Sequence, residues 1–189
     1  MKIIIVLGPV ACGKTRISKK LEEKFQIPTV SINSLLKDKE LLSDDVITSE
    51  LKQFLMKSEY KLGFVLDGDP RTLRQVDLLI KTFNELKFPL PVVVELQLQT
   101  EVILDRVSNI LICSNCRRTY NTSDNLKSNI CVCGGIISKK DINKEEILKE
   151  MQIYHRNIRG VINYYKSLGS YIYKFNIENN VDNIINIIT

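Results

Sequence analysis

The chain has 189 residues, of which 44% are hydrophobic and 26% charged, and its formal net charge is +5 at pH 7. This composition is ordinary for one globular domain. No apolar run approaches the roughly 20 residues of a membrane span, and the short run after Lys2 is too brief for a signal peptide. Basic residues do not form tracts interleaved with aromatic ones. We therefore expect a cytoplasmic protein that binds neither membranes nor nucleic acid.

Five short runs rich in Ile, Val, Phe and Leu predict strands, at 3–7, 28–32, 63–66, 92–96 and 171–177. Between them, apolar residues recur every three or four positions, which predicts helices with one buried stripe. The stripes begin at Ile17, Ile47, Leu73 and Ile103, and the last of them extends to Ile110 and Leu111. A longer helix is expected over about 143–168, and a short helix closes the chain. This alternation predicts an α/β fold with a five-stranded parallel sheet flanked by helices.

The stretch GPVACGKT, residues 8–15, fits the pattern G-x-x-x-x-G-K-[ST] and lies between a predicted buried strand and an amphipathic helix. In such a P-loop the backbone N–H groups surround a polyphosphate, and the following helix adds the positive end of its dipole. Lys14 would reach the β- and γ-phosphates, and Thr15 would offer its hydroxyl to Mg²⁺. The expected ATP contacts here are Gly8, Ala11, Cys12, Gly13, Lys14 and Thr15.

A second motif, GFVLDGDPRT at residues 63–72, places Asp67 at the carboxyl end of a predicted strand. Ligands of open α/β sheets bind at that edge. We expect Asp67 to face the phosphates and Mg²⁺, directly or through water. Taken alone, the motif fits a strand-end turn with a solvated aspartate equally well.

Several stretches, in this order, resemble the adenylate kinase family of nucleoside monophosphate kinases. They are the opening loop, IPTVSINSLLK, GFVLDGDPRTLRQVD, ILDRV, a cysteine-bearing insert and YHRNIRGVINYY. The resemblance covers nearly the whole chain. It implies a P-loop kinase core at 1–112 and 136–189, with an AMP-binding flap at 33–55 and a lid at 113–135. It also implies Mg²⁺-dependent transfer of the ATP γ-phosphoryl group to AMP, and we expect the protein to act as a monomer on small-molecule nucleotides.

The resemblance also implies roles for individual residues. Lys14, Asp67 and Arg71 match the catalytic positions, with Arg71 holding the AMP phosphate. Gln75 matches the residue that reads the adenine of AMP, and Arg106 the one that packs on the adenine of ATP. Tyr120 joins the ATP contacts, and the expected AMP contacts are Ser31, Asn33, Lys37, Leu42, Gly68, Arg71 and Gln75.

The chain also departs from the family pattern. Ala11 replaces a loop glycine, and Lys37 stands where the family has an arginine, which keeps the charge but loses the bidentate fork. Arginines expected around the phosphates are replaced at Ile110, Leu111, Lys139 and Glu150, and the AMP-binding flap is short. Two alternatives therefore stay open: a nucleotide-binding protein with little turnover, and a P-loop kinase with a different small-molecule acceptor.

Four cysteines lie close together in the sequence, as CSNC and then CVC, at Cys113, Cys116, Cys131 and Cys133. Two pairs of cysteines, with the members of each pair close enough in the sequence to lie in one turn, suit the tetrahedral geometry of Zn²⁺. With all four positions filled by protein, the metal would be structural and would stiffen the lid. Reduced free thiols and an iron site are the alternatives.

Overall fold

A computed structural model describes residues 1–31, 43–116, 118–122, 126, 128–139, 143–177 and 182–188. The chain forms two compact units, one of Met1–Leu98 with Gln152–Thr189 and one of Gln99–Met151. The second unit contains more residues than the segment 113–135 expected as a lid. The domain boundaries derived from the sequence stay a prediction.

In chain order, the strands are β1 Lys2–Leu7, β2 Thr29–Val30, β3 Gly63–Asp67, β4 Val92–Gln97, β5 Ile110–Cys113, β6 Thr119–Asn121, β7 Ile137–Lys139 and β8 Ile172–Asn176. The helices are α1 Lys14–Phe25, α2 Asp44–Leu55, α3 Leu73–Glu85, α4 Thr100–Ser108, α5 Lys144–Ser167 and α6 Asp182–Ile187, with a 3₁₀ helix at Ser58–Tyr60. Among the described residues, none of these helices combines the length and the apolar character needed to cross a bilayer.

The first unit contains a five-stranded sheet in the order β2-β3-β1-β4-β8, and every neighbouring pair is parallel. All five strands predicted from the sequence are confirmed. Strands β1, β3 and β4 are almost entirely buried, as expected for parallel strands covered by helices on both faces. Helix α3 begins at a Thr72 N-cap and turns Val76, Ile80 and Phe83 towards the core.

Phe64 on β3 is fully buried and lies at the centre of an aromatic cluster. Its ring contacts Tyr60, Phe83 and Phe88, at centroid distances of 6.3, 5.9 and 6.1 Å. Large apolar side chains from a strand and from the segments around it therefore meet on one face of the sheet, which fixes α3 against β3.

The expectation that Ile110 and Leu111 continue the preceding helix is wrong. Helix α4 ends at Ser108, and both residues belong to β5, which pairs antiparallel with β6 and β7 in the second unit. Apolar residues at these spacings fit a helix stripe and a short strand equally well. These residues form a strand because pairing with β6 and β7 satisfies the backbone hydrogen-bonding groups of β5 on both sides. That pairing exists only in the folded protein.

Replacing Phe64 by Ala is expected to lower the free energy of unfolding by about 3–5 kcal/mol, because it removes a buried ring and leaves a cavity. Urea unfolding monitored by circular dichroism measures this change. Leu62→Ala is the matched control, since Leu62 lies two residues earlier and is 76% exposed. Its effect should stay within about 0.5 kcal/mol, and equal losses in both variants would contradict the described packing.

Candidate active site

The carboxyl ends of β1 and β3 form the centre of the site. In the register of the sheet, Val6 of β1 lies opposite Asp67 of β3. From β1 the chain continues to β2 on one side, whereas from β3 it crosses β1 to reach β4 on the other. Neighbouring strands whose connections leave in opposite directions create the crevice in which open α/β sheets bind ligands. The predicted P-loop follows β1 directly into this crevice.

The backbone of the P-loop is tightly wound. A Cβ atom on Gly8 would lie 2.5 Å from Cys12 Sγ, so only glycine fits there without rearrangement. Ala11 and Gly13 both have positive φ, 54° and 91°. The Cys12 side chain is buried, at 2% exposure, so a contact of Cys12 with a phosphate would come from its backbone. These features form a close-fitting backbone loop of the kind that surrounds phosphates.

Helix α1 begins at Lys14 with Gly13 as its N-cap, and no side chain caps its first turn. The first N–H groups of a helix have no intrahelical acceptors, and they carry the positive end of the helix dipole. The Lys14 ammonium donates hydrogen bonds to the carbonyl oxygens of Gly8 and Pro9, at 2.9 and 2.6 Å. The ammonium thus lies against the loop at the start of the helix, and this end of α1 favours an anion.

Thr15 and Asp67 meet across the crevice, since the Thr15 hydroxyl donates a 2.7 Å hydrogen bond to Asp67 Oδ2. Asp67 is 7% exposed, and its Oδ1 atom is buried without a hydrogen-bond partner among the described residues. A hydroxyl and a carboxylate are hard oxygen donors of the type that Mg²⁺ prefers. The two residues expected to hold Mg²⁺ are therefore adjacent and chemically suited to it.

The turn after β3 carries Gly68, Asp69 and Arg71. Gly68 has φ 89°, and a Cβ atom there would lie 3.4 Å from Lys14 Cε, so the turn runs beside the lysine. Arg71 Nε donates to the Gly68 carbonyl oxygen at 3.2 Å and lies 3.7 Å from Asp69 Oδ1. Burial raises the pKa of the Asp69 carboxyl, and Arg71 opposes that rise. Sequence reasoning did not single out Asp69, because its burial depends on the fold.

Gln75 takes part in starting helix α3. Its backbone N–H donates to Thr72 Oγ1 at 3.2 Å, and its side-chain Oε1 accepts a 2.7 Å bond from the Arg71 backbone N–H. This arrangement is similar to a capping box, which the T-x-x-Q spacing could have indicated from the sequence. Recognition of the AMP adenine by Gln75 stays a prediction. The Gln75 side-chain oxygen also has a structural role, since it accepts the bond from the Arg71 backbone.

The remaining expected AMP contacts lie on or near the flap. Ser31 directly follows β2, and its neighbour Val30 pairs with Leu66 in the sheet, so Ser31 lies at the same carboxyl edge as Asp67. Asn33, Lys37 and Leu42 lie outside the described residues. Their expected contacts with AMP stay predictions.

In the second unit, the four clustered cysteines come together. Their Sγ atoms all lie within 4.8 Å of one another, with 3.5 Å between Cys113 and Cys133 and 3.6 Å between Cys116 and Cys131. Four sulfurs bound tetrahedrally at about 2.3 Å to one Zn²⁺ lie about 3.8 Å apart. The cluster therefore fits a zinc ion in both donor type and size.

Tyr120 on β6 faces this cluster, with its hydroxyl 3.0 Å from Cys131 Sγ. The backbone N–H of Cys133 and the Tyr120 hydroxyl stabilise the thiolate and lower the pKa of Cys131 to about 6. Sequence reasoning assigned Tyr120 only to ATP, and this contact adds a second role beside the cysteines. Arg106, the other expected ATP contact of this unit, lies in α4, and both ATP contacts stay predictions.

Two of the positions at which arginines were expected are neighbours in the second unit. Leu111 of β5 is the register partner of Lys139 of β7, and on its other side Leu111 pairs with Tyr120. Of the two, only Lys139 carries a positive charge. At these two positions there is therefore one cation where the resemblance implies two.

Comparisons of the sequence with known proteins identify its family. A family model described as "Adenylate kinase" matches residues 29–170. The chain belongs to the adenylate kinase family. The adenylate kinase of Methanosarcina mazei is 34% identical, over 88% of this chain and 87% of the relative. That of Caldicellulosiruptor bescii is 32% identical, over 95% and 94%, and that of Rickettsia africae is 30% identical, over 89% of each. The family resemblance predicted from the sequence is confirmed.

Ala11→Gly is expected to raise the free energy of unfolding by about 0.5–1 kcal/mol. A left-handed backbone costs a residue with a Cβ about 1–2 kcal/mol, and the added flexibility of the unfolded chain offsets part of the gain. Ser49→Gly, in the interior of α2, is the matched control and should lower stability by about 0.5 kcal/mol. Chemical unfolding measures both values. Destabilisation by Ala11→Gly would contradict the strained loop conformation.

Proposed function

We propose that this protein is a nucleoside monophosphate kinase that transfers the γ-phosphoryl group of ATP to AMP and so forms two ADP. The observation that carries the proposal is the contact of Thr15 with Asp67 beside Lys14, at the crevice between β1 and β3. The chain is a phosphotransferase of the adenylate kinase family, and this contact supports the assignment of these side chains to the ATP phosphates and Mg²⁺.

Lys14 and the start of α1 would hold the β- and γ-phosphates. Phosphoryl transfer leaves little covalent chemistry to the protein, so acceleration comes from position and from positive charge around the moving group. Thr15 and Asp67 would hold Mg²⁺, Asp67 partly through water. When bound, Mg²⁺ would neutralise negative charge on the β- and γ-phosphate oxygens.

Arg71 would hold the acceptor's phosphate, with the backbone of Gly68 beside it. The Nε edge of its guanidinium faces the turn, where it donates to the Gly68 carbonyl. A phosphate held by Arg71 would therefore meet the terminal Nη edge, which offers two parallel N–H donors. Gln75, at the start of α3, would read the adenine of AMP, and Arg106 and Tyr120 would contact the ATP nucleotide.

We expect turnover to be reduced relative to a chain with the full set of arginines. Ile110, Leu111, Lys139 and Glu150 stand where arginines were expected, and a single transition-state arginine contributes roughly a thousandfold or more. Lys139 retains one positive charge beside Leu111. Monomeric state and cytoplasmic localisation, both expected from the sequence, stay predictions.

The four cysteines would hold one structural zinc ion. Cys113 and Cys131 are buried, and together with Ile137 they form the small core of the second unit. So small an apolar cluster gives limited stability by itself, and a closed metal site adds its binding free energy to folding.

Lys14→Ala is expected to lower phosphoryl transfer at least a hundredfold, because it removes a preorganised charge at the phosphates. Diphosphate formation from ATP, Mg²⁺ and a panel of nucleoside monophosphates measures transfer, and we expect the wild type to prefer AMP over GMP. Lys19→Ala, an exposed lysine on the same helix, is the control and should keep wild-type activity. Melting temperatures verify that both variants fold.

Two results would contradict this proposal. One is wild-type protein that binds ATP and forms no diphosphate with any monophosphate. The other is unchanged turnover in folded Lys14→Ala, since the assigned phosphate contact would then contribute nothing.

For the cysteine cluster, we expect one zinc per chain in protein purified without chelator. Chelation should lower the melting temperature, because the native state alone contains the complete site. Cys116→Ser should lose the metal, whereas Cys12→Ser, at the one cysteine outside the cluster, should keep it. Elemental analysis of the three proteins measures the stoichiometry. Equal zinc content in Cys116→Ser and the wild type would show that the metal is bound elsewhere.

A further inference from the structure

Asp69 is a buried acid at the edge of the site to which the proposed reaction gives no role. It is 7% exposed, and its Oδ1 atom lies 3.7 Å from Arg71 Nε. Its Oδ2 atom is buried without a hydrogen-bond partner among the described residues. Burying a carboxylate with so few bonds is costly unless nearby positive charge compensates it. Arg71 is the cation with which it forms an ion pair.

The two members of this ion pair differ in their exposure to solvent. The Asp69 side chain is 10% exposed, whereas that of Arg71 is 48% exposed. Asp69 is thus held by the protein on nearly all sides, while Arg71 is a long side chain with about half its surface in solvent. Ordering such a side chain on binding costs conformational entropy. A buried carboxylate beside a half-exposed guanidinium can supply that order before the ligand arrives.

We propose that Asp69 is a positioning residue that holds the Arg71 guanidinium in the orientation that receives the acceptor's phosphate. This inference rests on the proposed function, which assigns Arg71 to that phosphate. The Asp69 carboxylate and the Gly68 carbonyl oxygen both lie at the Nε edge of Arg71. Together they direct the opposite, Nη edge away from the turn. The acceptor then binds a guanidinium that is already oriented, which reduces the entropy cost of binding.

Asp69 could also act in the opposite sense, because a carboxylate near Arg71 repels a phosphate. The two effects predict opposite changes when the charge is removed. If positioning dominates, loss of the carboxylate weakens AMP binding. If repulsion dominates, the same change strengthens it. The sign of one binding measurement therefore decides between them.

Asp69→Asn is the test variant, since it keeps the size of the side chain and removes the charge. Calorimetry with AMP alone, in the absence of ATP, should show a dissociation constant raised about three- to tenfold, as expected for one side chain left unordered. The dissociation constant for ATP with Mg²⁺ should change less than that for AMP, because Arg71 is assigned to the acceptor's phosphate. Glu23→Ala, an exposed acid on α1, is the matched control and should bind AMP as the wild type does. Melting temperatures verify folding.

A double-mutant cycle with Arg71→Ala shows whether Asp69 acts through Arg71. In the Arg71→Ala background, Asp69→Asn should not weaken AMP binding further. An equal loss in both backgrounds would overturn the inference, as would unchanged or tighter AMP binding in Asp69→Asn alone. Wild-type protein that fails to bind AMP would overturn both this inference and the proposed acceptor. Normal wild-type binding without an effect of Asp69→Asn would overturn the positioning role alone.

Discussion

The parallel pairing of β1 with β3 is the constraint on which the site depends. Its register sets Lys2 opposite Gly63 and Val6 opposite Asp67. A Cβ atom on Gly63 would lie 1.9 Å from the Lys2 carbonyl oxygen, so glycine at the start of β3 permits the strands to approach in this register. A shift by one residue would turn Asp67 to the opposite face of the sheet. The contact between Thr15 and Asp67 therefore follows from a backbone fit at the far end of the same two strands.

The turn from β3 into α3 combines structural and chemical roles in a few residues. Thr72 and Gln75 start the helix, and the Gln75 side chain also bonds to the backbone of Arg71. That bond holds the main chain of Arg71, while its guanidinium donates to the Gly68 carbonyl oxygen and forms an ion pair with Asp69. The main chain and the side chain of Arg71, the residue proposed to bind the acceptor's phosphate, are thus held by different contacts. Precise placement of charge is what accelerates phosphoryl transfer, so restraint of this kind is useful at this position.

The second unit depends on a different kind of interaction. Its three-stranded antiparallel sheet is short, and its buried core includes Cys113 and Cys131. Two cysteines thus serve as core residues and as half of the candidate metal site, so metal binding and packing are coupled. Tyr120 links the sheet to the cluster through its contact with Cys131. In the first unit, by contrast, apolar side chains of the strands and helices form the core.

The sequence by itself determined the order of strands and helices in the first unit, the P-loop, the family and the cysteine cluster. Each of these is encoded locally, in the periodicity of apolar residues, in turn residues or in short fixed spacings. Only the tertiary structure decided that Ile110 and Leu111 form a strand, because their spacing fits both elements and the pairing with β6 and β7 settles the choice. It likewise decided the burial of Asp69 beside Arg71 and the contact of Tyr120 with Cys131. Such contacts depend on where side chains from different turns and strands converge, and a linear pattern does not contain that information.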